Sequence, residues 1–200
     1  DRNEKLSRAT VFAITALAEA MENAKLNAKL IDPYETSIIL GAGISNSNFH
    51  PLYDIIAEQV FVGADFDFKR LEECINNRIV PLEELENFTC GYNPGSKIAS
   101  KLGIRGLCRT ISTACASGTQ SIGEAYRRIS RGDTEIVITG GTDAMIDIEG
   151  FTLFSILNVM SCRNDEPEKA SRPFDAKRDG FVLGEGAGIL ILESLESAIR

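Results

Sequence analysis

Short apolar runs that end in glycine alternate along this chain with segments of helical periodicity. TSIILGAG (residues 36–43) and EIVITGG (residues 135–141) are too short for typical helices and rich in β-branched side chains, which indicates buried strands. Residues 5–26, 93–106 and 116–131 instead place apolar side chains at helical spacing. Strands that alternate with helices are typical of layered α/β proteins, so the sequence predicts an α/β fold.

The remaining pattern extends this prediction to the whole chain. A strand is predicted near residues 108–113, and two strands around a glycine cluster, followed by a helix, are predicted within residues 180–196. Residues 47–90 mix polar and aromatic side chains and predict helical pieces and loops. No repeat or low-complexity linker divides the sequence, so one domain over residues 1–200 is predicted.

Composition narrows the function classes. A formal net charge of −8 argues against a nucleic-acid partner, which requires a clustered basic face. No apolar run approaches the roughly 18 residues of a membrane helix, and the N-terminus lacks a signal-peptide core. The five cysteines form no C-x-x-C pair, and His50 is the sole histidine. These features predict a cytoplasmic protein with reduced thiols, no metal cluster and no membrane association.

Two stretches resemble ligand-binding motifs, but neither has the residues that its ligand would require. GAGISN (residues 41–46) follows a strand, but it has Asn46 where a dinucleotide fingerprint has its third glycine. DAKRDG (residues 175–180) resembles the start of a calcium loop. A twelve-residue loop beginning there would have Lys177 and Gly186 where oxygen ligands are needed. We therefore predict no tightly bound cofactor.

One cysteine occupies a distinctive position. Cys115 lies between the predicted strand at 108–113 and a helix that ends with clustered arginines and Gly132. A helix N-terminus presents free N–H groups and partial positive charge, which favour the thiolate of a nearby cysteine. Its small neighbours Ala114, Ala116 and Gly118 would let a substrate carbonyl approach both the sulfur and the Cys115 N–H, half of an oxyanion hole. On position alone, a buried and inert core cysteine remains the alternative.

Three stretches together resemble a known family. TACASG (residues 113–118), GDTEIVITGGTDAM (132–145) and SCRNDEPEKASRPFDAKRDGFVLGEGAGILILE (161–193) occur in the order and at the separations of the β-ketoacyl synthases of fatty-acid and polyketide synthesis. The similarity is closest to the elongating, acyl-carrier-protein-dependent members, and it is clear over residues 100–200.

The resemblance implies a fold and a reaction. The fold is thiolase-like, with five layers (α-β-α-β-α) built from two similar halves, of which this chain would be most of the N-terminal half. The reaction is a decarboxylative Claisen condensation in which an acyl group moves from a phosphopantetheine thioester to an active-site cysteine, here Cys115. A malonyl thioester then loses CO₂ and attacks that acyl group. Phe154 matches an aromatic residue that lines the acyl pocket, with an ordinary core phenylalanine as the alternative.

The chain also departs from the family pattern. The catalytic histidines and lysine of the family belong to motifs that are absent here, and His50 stands in the wrong context to replace them. The first strand of the fold is missing as well, so the domain is expected to be incomplete at both ends. Such a segment carries the nucleophile but lacks the groups that activate the malonyl unit.

The resemblance further implies an acyl carrier protein as partner and a two-fold assembly. Arg78 and Arg163 are candidate contacts to the acidic carrier, although each equally fits an ordinary surface charge. Asn158 replaces an arginine common in the family, which puts the contact with the carrier arm in doubt. A homodimer, or a heterodimer with a homologous subunit, is predicted through an antiparallel contact near Thr110–Ser112.

Two other functions are compatible with the fold. One is a non-catalytic partner subunit that shapes the pocket, like a chain-length factor, and the presence of Cys115 speaks against it. The other is a thiolase-fold enzyme that uses coenzyme A directly, and the RPFDAKRDGFVLGEGAG element (residues 172–188) speaks against it. Arg172, Asp175, Arg178 and Asp179 in that element are predicted to pair and hold the connection, without a chemical role.

Overall fold

The structure is a computed structural model that describes residues 6–27, 31–43, 61–62, 65–76 and 94–199. In chain order these residues form α1 (Arg8–Asn23), β1 (Thr36–Ala42), β2 (Phe61–Val62), β3 (Asp65–Phe66), α2 (Phe68–Asn76), α3 (Pro94–Leu102), β4 (Cys108–Ile111), α4 (Ser117–Ser130), β5 (Ile136–Ala144), α5 (Ile148–Ile156), a 3₁₀ turn (Pro167–Lys169), β6 (Glu185–Glu193) and α6 (Leu195–Ile199).

Four strands form one mixed sheet in the order β4-β1-β5-β6. β4 and β5 both run parallel to β1, with Ile38 opposite Cys108 on one side and Ile138 on the other. β6 runs antiparallel to β5. All residues of β1 are buried, as expected for an apolar strand covered on both faces. β2 and β3 form a separate antiparallel pair.

Helices cover both faces of this sheet. Because side chains alternate along a strand, Ile38 and Leu40 pack with residues of α1 and α3, whereas Ile39 packs with Ala125 of α4. The result is an α-β-α arrangement, which confirms the layered α/β fold predicted from the sequence.

The predicted helix ends are explained by local chemistry. Ser7 caps α1 by accepting a hydrogen bond from the Thr10 N–H at 3.2 Å. Gly103 and Gly132 follow α3 and α4 with φ of +71° and +75°, left-handed conformations that glycine adopts without steric cost. The prediction of a short helix and a glycine stop within residues 93–106 is therefore confirmed.

The prediction of two strands within residues 180–196 is wrong. One continuous strand, β6, contains Gly186 and Gly188, and residues 180–184 contribute only an isolated bridge between Phe181 and Met160. Close approach of β5 and β6 requires glycine at position 140 of β5, because a Cβ there would collide with the Gly188 carbonyl of β6, whereas a Cβ at Gly186 or Gly188 would meet no atom of the described residues within 4 Å.

α5 is a helix for which the sequence analysis predicted no element. Its side chains are apolar on several sides, and Ile148 and Ile156 are more than 70% exposed, so no amphipathic period marks it. Asp147 caps its start by accepting from the Gly150 N–H at 2.7 Å. Asn158 follows its end in a left-handed conformation with φ of +53°, which asparagine tolerates better than arginine. Among the described residues, no helix combines the length and apolar character needed to cross a membrane.

Candidate functional site

Cys115 lies at the turn between β4 and α4. α4 begins at Ser117 with Ala116 as its N-cap, so the cysteine precedes the helix by two positions, close to the predicted strand-to-helix turn. Its side chain is exposed, and the thiol is free. A core role requires burial, so the exposed position of Cys115 does not match the core alternative.

The backbone of this turn is unusual. Ala114, directly before the cysteine, has a φ of +52°, a left-handed conformation that costs an L-residue with a Cβ about 1–2 kcal/mol. The turn closes through two backbone hydrogen bonds, Ala116 N–H to Thr113 C=O at 3.2 Å and Ser117 N–H to Ala114 C=O at 3.1 Å. The N–H groups of Ala116 and Ser117, which were expected to be free for a ligand, therefore donate hydrogen bonds within the turn.

The N–H of Cys115 itself is differently placed. Within the part of the chain that the structure describes, it donates to no protein acceptor. A backbone N–H beside an exposed thiol can bind the oxygen of a carbonyl that the sulfur attacks.

Ser117 ties the two sides of the turn together. Its hydroxyl accepts a hydrogen bond from the Thr113 N–H at 2.8 Å and donates one to the Ala114 carbonyl at 2.7 Å. The residue is only 4% exposed. Both bonds span the left-handed residue, so the hydroxyl stabilises the one conformation that presents Cys115 outward.

Glycines let the helix start lie against the strand ends. A Cβ at Gly41, near the end of β1, would collide with the backbone of Ser117 and Gly118. A Cβ at Gly141 of β5 would lie 3.2 Å from the Gly118 Cα. The N-terminus of α4 is thus held at backbone-to-backbone distance from the two central strands.

A cavity of about 270 Å³ opens at this junction, with Cys115 in its wall. The other lining residues come from the carboxyl ends of β1 and β5, the start of α4 and the start of β6. In open α/β sheets, ligands bind at the carboxyl ends of the strands, often where connections diverge. Nine of the thirteen lining residues are glycine or alanine, and Asp143 is the ionisable group among them besides the cysteine.

Phe154 lies elsewhere in the described structure. It is a half-buried residue of α5 whose ring meets Phe181 edge-to-face, with centroids 5.2 Å apart and an interplanar angle of 80°. It does not line the 270 Å³ cavity around Cys115. The structure therefore does not bring the two predicted site residues into one cavity, and the pocket role of Phe154 stays a prediction.

The charged residues of the connection before β6 pair less with one another than expected. Asp179 accepts from the Ser161 hydroxyl at 3.0 Å, and Arg178 donates to the Asp175 backbone carbonyl at 3.0 Å. The Ser161 hydrogen bond, aided by the positive charges nearby, lowers the pKa of Asp179. Two buried guanidinium nitrogens of Arg172 have no hydrogen-bond partner among the described residues.

The same connection borders a larger depression, of about 800 Å³. Its wall includes Arg172, Phe174 and Phe181, and it shares no lining residue with the cavity at Cys115. Its volume suits a small molecule, but its lining residues include no thiol, histidine or carboxylate, so we place the candidate active site at Cys115.

The remaining predicted residues divide between the described and undescribed parts of the chain. Arg163 forms an ion pair with Glu166 at 3.5 Å, so its charge is partly engaged. Arg78 and His50 lie outside the described residues. Among those described, no three His, Cys, Asp or Glu side chains are grouped as metal ligands.

Partial desolvation raises the pKa of the Cys108 thiol, seven residues before Cys115.

Comparison with known proteins identifies the family. The family described as "Beta-ketoacyl synthase, N-terminal domain" matches residues 1–198. The chain belongs to this family. The β-ketoacyl synthase resemblance seen in the sequence is thereby confirmed.

Individual relatives agree in sequence and in fold. A 3-oxoacyl-[acyl-carrier-protein] synthase 2 of Synechocystis sp. is 36% identical over 201 residues, which cover 100% of this chain and 44% of that protein. A type II polyketide ketosynthase, solved in complex with its acyl-carrier protein and bound to a hexaketide, aligns with a TM-score of 0.79 and 28% identity over 98% of this chain and 46% of that one. The ishigamide ketosynthase/chain length factor gives a TM-score of 0.72 and 28% identity, covering 100% of this chain and 44% of that one.

These comparisons establish the fold and show how much of a related protein this chain represents. The thiolase-like ketosynthase fold is confirmed, and the α-β-α layers described above belong to that five-layer architecture. The chain spans less than half the length of the relatives it matches.

Sequence reasoning missed Ser117 and Ser121. Both are buried, and the Ser121 hydroxyl contacts the Gly118 and Gly140 carbonyls at 2.7 and 2.6 Å. A signal was available, because Ser117, Ser121 and Ala125 recur at intervals of four on the face of α4 that meets the sheet.

Proposed function

We propose that the protein containing this chain is a β-ketoacyl-acyl-carrier-protein synthase in which Cys115 is the nucleophile. The Cys115 sulfur attacks an acyl thioester on the phosphopantetheine arm of an acyl carrier protein, and the arm leaves as its thiol. The acyl-cysteine then receives the carbanion formed when a malonyl thioester loses CO₂. A carbon–carbon bond forms as the bond to the Cys115 sulfur breaks.

The observation that supports this proposal is the position of the Cys115 side chain and the groups around it. Cys115 is exposed at a constrained turn, its own N–H donates to no acceptor among the described residues, and it lies in a cavity lined mainly by glycine and alanine residues. A thioester carbonyl can reach the sulfur there without meeting large side chains. The developing oxyanion would accept a hydrogen bond from the Cys115 N–H, an interaction of the kind whose removal costs about 10²–10³ in rate in other enzymes.

Carbanion formation requires groups beyond this chain. His50 is the sole histidine of the sequence, and it precedes the nucleophile in an unrelated context. We therefore assign the first half-reaction to residues described here, and the decarboxylation to residues in the remainder of the complete protein.

A second candidate function has a specific observation in its favour. One structural neighbour is a ketosynthase/chain length factor, so a homologous subunit can accompany a ketosynthase of this fold. A non-catalytic subunit needs no exposed cysteine at this turn. The presence of Cys115 favours the catalytic function.

Cys115 is expected to be the most reactive thiol of the folded complete protein. Cys108 is a suitable internal comparison, because its raised pKa leaves little thiolate at neutral pH. Limited iodoacetamide labelling at pH 7, followed by peptide mapping, should modify Cys115 before Cys108 and Cys162. Equal or preferential labelling of either comparison thiol would remove the chemical basis of the proposal.

Phe154 is proposed to line the acyl channel in the complete protein. Phe154→Ala should change which acyl chain lengths are elongated. Loss of the edge-to-face pair should cost about 0.5–1.5 kcal/mol, in addition to the lost burial.

Phe181→Ala is the matched control for Phe154, because it breaks the same ring pair and leaves position 154 intact. Chain-length profiles and thermal melts of both variants separate the two roles. If both variants destabilise the protein while keeping the wild-type chain-length profile, Phe154 is an ordinary packing residue.

We further propose that an acyl carrier protein delivers the substrate and that the synthase is a dimer, formed with itself or with a homologous subunit. A neighbour of this fold was solved with its acyl-carrier protein, which supports the first part. β4 is the edge strand of the sheet and leads directly to the Cys115 turn, so its edge is suited to pairing with a second subunit.

The dimer contact can be tested at Ile111 of β4. Ile111→Pro removes a backbone donor that the parallel register directs toward Leu40 of β1, so it should distort the edge strand, raise the dimer dissociation constant by about tenfold or more and lower activity in parallel. Ile111→Val, which keeps the donor and most of the packing, is the control. Light scattering at micromolar concentration together with activity assays measures both effects. A proline variant that stays dimeric and active would place the interface elsewhere.

A further inference from the structure

We infer that Ser117 is the residue that positions the nucleophile. Its hydroxyl holds Ala114 in the left-handed conformation that turns Cys115 out of the sheet into the cavity. The inference deepens the proposed function and rests on it for its chemical meaning. The geometry on which it depends concerns the turn alone.

The first observation is the strain at Ala114. With φ at +52°, this alanine adopts a conformation that residues with a Cβ rarely occupy, and such residues persist only where the surroundings over-determine them. No glycine occupies this position to remove the cost. Some interaction must therefore favour this conformation over a relaxed turn.

The second observation is the pair of hydrogen bonds made by one buried hydroxyl. The Ser117 Oγ accepts from the Thr113 N–H at 2.8 Å, immediately before Ala114. It donates to the Ala114 carbonyl at 2.7 Å, immediately after the strained φ. The two bonds link the amide at the start of Thr113 to the carbonyl at the end of Ala114 through one hydroxyl, and in a residue only 4% exposed water competes poorly for them.

The third observation is that, among the described residues, no other side chain of α4 bonds to the backbone of the turn; Gln120 Oε1 accepts from the Thr113 hydroxyl at 2.7 Å and does not reach the backbone. Ala116, the N-cap, has no side chain able to accept a hydrogen bond, so the usual capping contact is lacking. The two backbone bonds within the turn, at 3.1 and 3.2 Å, are both longer than those of Ser117. Ser117, the first residue of the helix, takes over the capping role by bonding backward into the turn.

The chain offers a matched control in Ser121. It is equally buried, lies one turn further along α4, and also has a hydroxyl with two short contacts to carbonyls, those of Gly118 and Gly140. Those contacts tie α4 to β5 and do not reach the turn. Replacement of either serine by alanine removes the same atom from the same helix face, and only one of the two touches the turn.

The experiment compares Ser117→Ala with Ser121→Ala in the complete protein. Ser117→Ala should lower the ratio of the iodoacetamide labelling rates of Cys115 and Cys108 by about tenfold. It should lower kcat with little change in KM, because the substrate still binds but meets a misplaced sulfur. Ser121→Ala should leave the labelling ratio within about twofold of wild type at a comparable loss of stability. Equal labelling ratios in the two variants would overturn the inference.

A second comparison tests the turn without relying on Cys115 chemistry. Glycine tolerates a left-handed φ, so in an Ala114→Gly background the Ser117→Ala change should raise the unfolding equilibrium constant about fivefold less than in the wild-type background. Equal effects in both backgrounds would mean that the hydroxyl does not hold Ala114. If Ser117→Ala alone does not fold, Ser117→Ala/Ala114→Gly is expected to fold, and its failure to do so would also overturn the inference.

The two arms distinguish this inference from the proposed function. If the effects of substitutions at positions 114 and 117 are coupled but Cys115 is not labelled preferentially in the wild-type protein, the role of Ser117 in holding Ala114 is supported and the role of Cys115 as nucleophile is contradicted. If Cys115 is labelled preferentially but the two substitutions are not coupled, the role of Cys115 as nucleophile is supported and the role of Ser117 in holding Ala114 is contradicted.

Discussion

The close packing of the α4 N-terminus on the two central strands is the constraint on which the rest of the site depends. At Gly41 and Gly141 the strand backbones approach Ser117 and Gly118 so closely that a methyl group at Gly41 would collide with them. Because the helix begins against the strand ends, the chain that joins β4 to α4 has only a few residues in which to turn. The left-handed Ala114 and the outward position of Cys115 follow from that short connection.

The same constraint determines what the cavity can do. Nine of its thirteen lining residues are glycine or alanine, so few large side chains lie between the sulfur and an approaching thioester. An oxyanion site made from backbone N–H groups needs no reorganisation when charge develops, which is why such sites are effective in acyl transfer. The family assignment and the geometry thus agree on one kind of chemistry, and the glycines and serines around Cys115 have a mechanical reason to be there.

How much of this was predictable depends on the type of signal. β1 and β5 were predicted because a run of buried β-branched residues has few other structures, and α4 was predicted because its apolar period, its terminal arginines and Gly132 agree. α5 was missed because it is apolar on nearly every side, and β6 was divided in two because glycines within a continuous strand look like turn residues.

The candidate site was predicted in part for a similar reason. Cys115 stood out through its place between two recognisable elements. Ser117 did not, because its importance arises from two hydrogen bonds across a strained residue, and a left-handed alanine leaves no mark in the sequence. The separation of Phe154 from the cavity at Cys115 depends on the packing of α5, which periodicity does not report.

The central claim is that Cys115 carries the acyl group. Its most direct test is intact-protein mass spectrometry of the complete protein after incubation with an acyl-carrier-protein thioester and no malonyl donor, followed by peptide mapping. The account predicts one acyl adduct per chain, located on Cys115 and absent from Cys115→Ala, while Cys108→Ala acylates normally. An adduct on another residue, or undiminished acylation of Cys115→Ala, would contradict it.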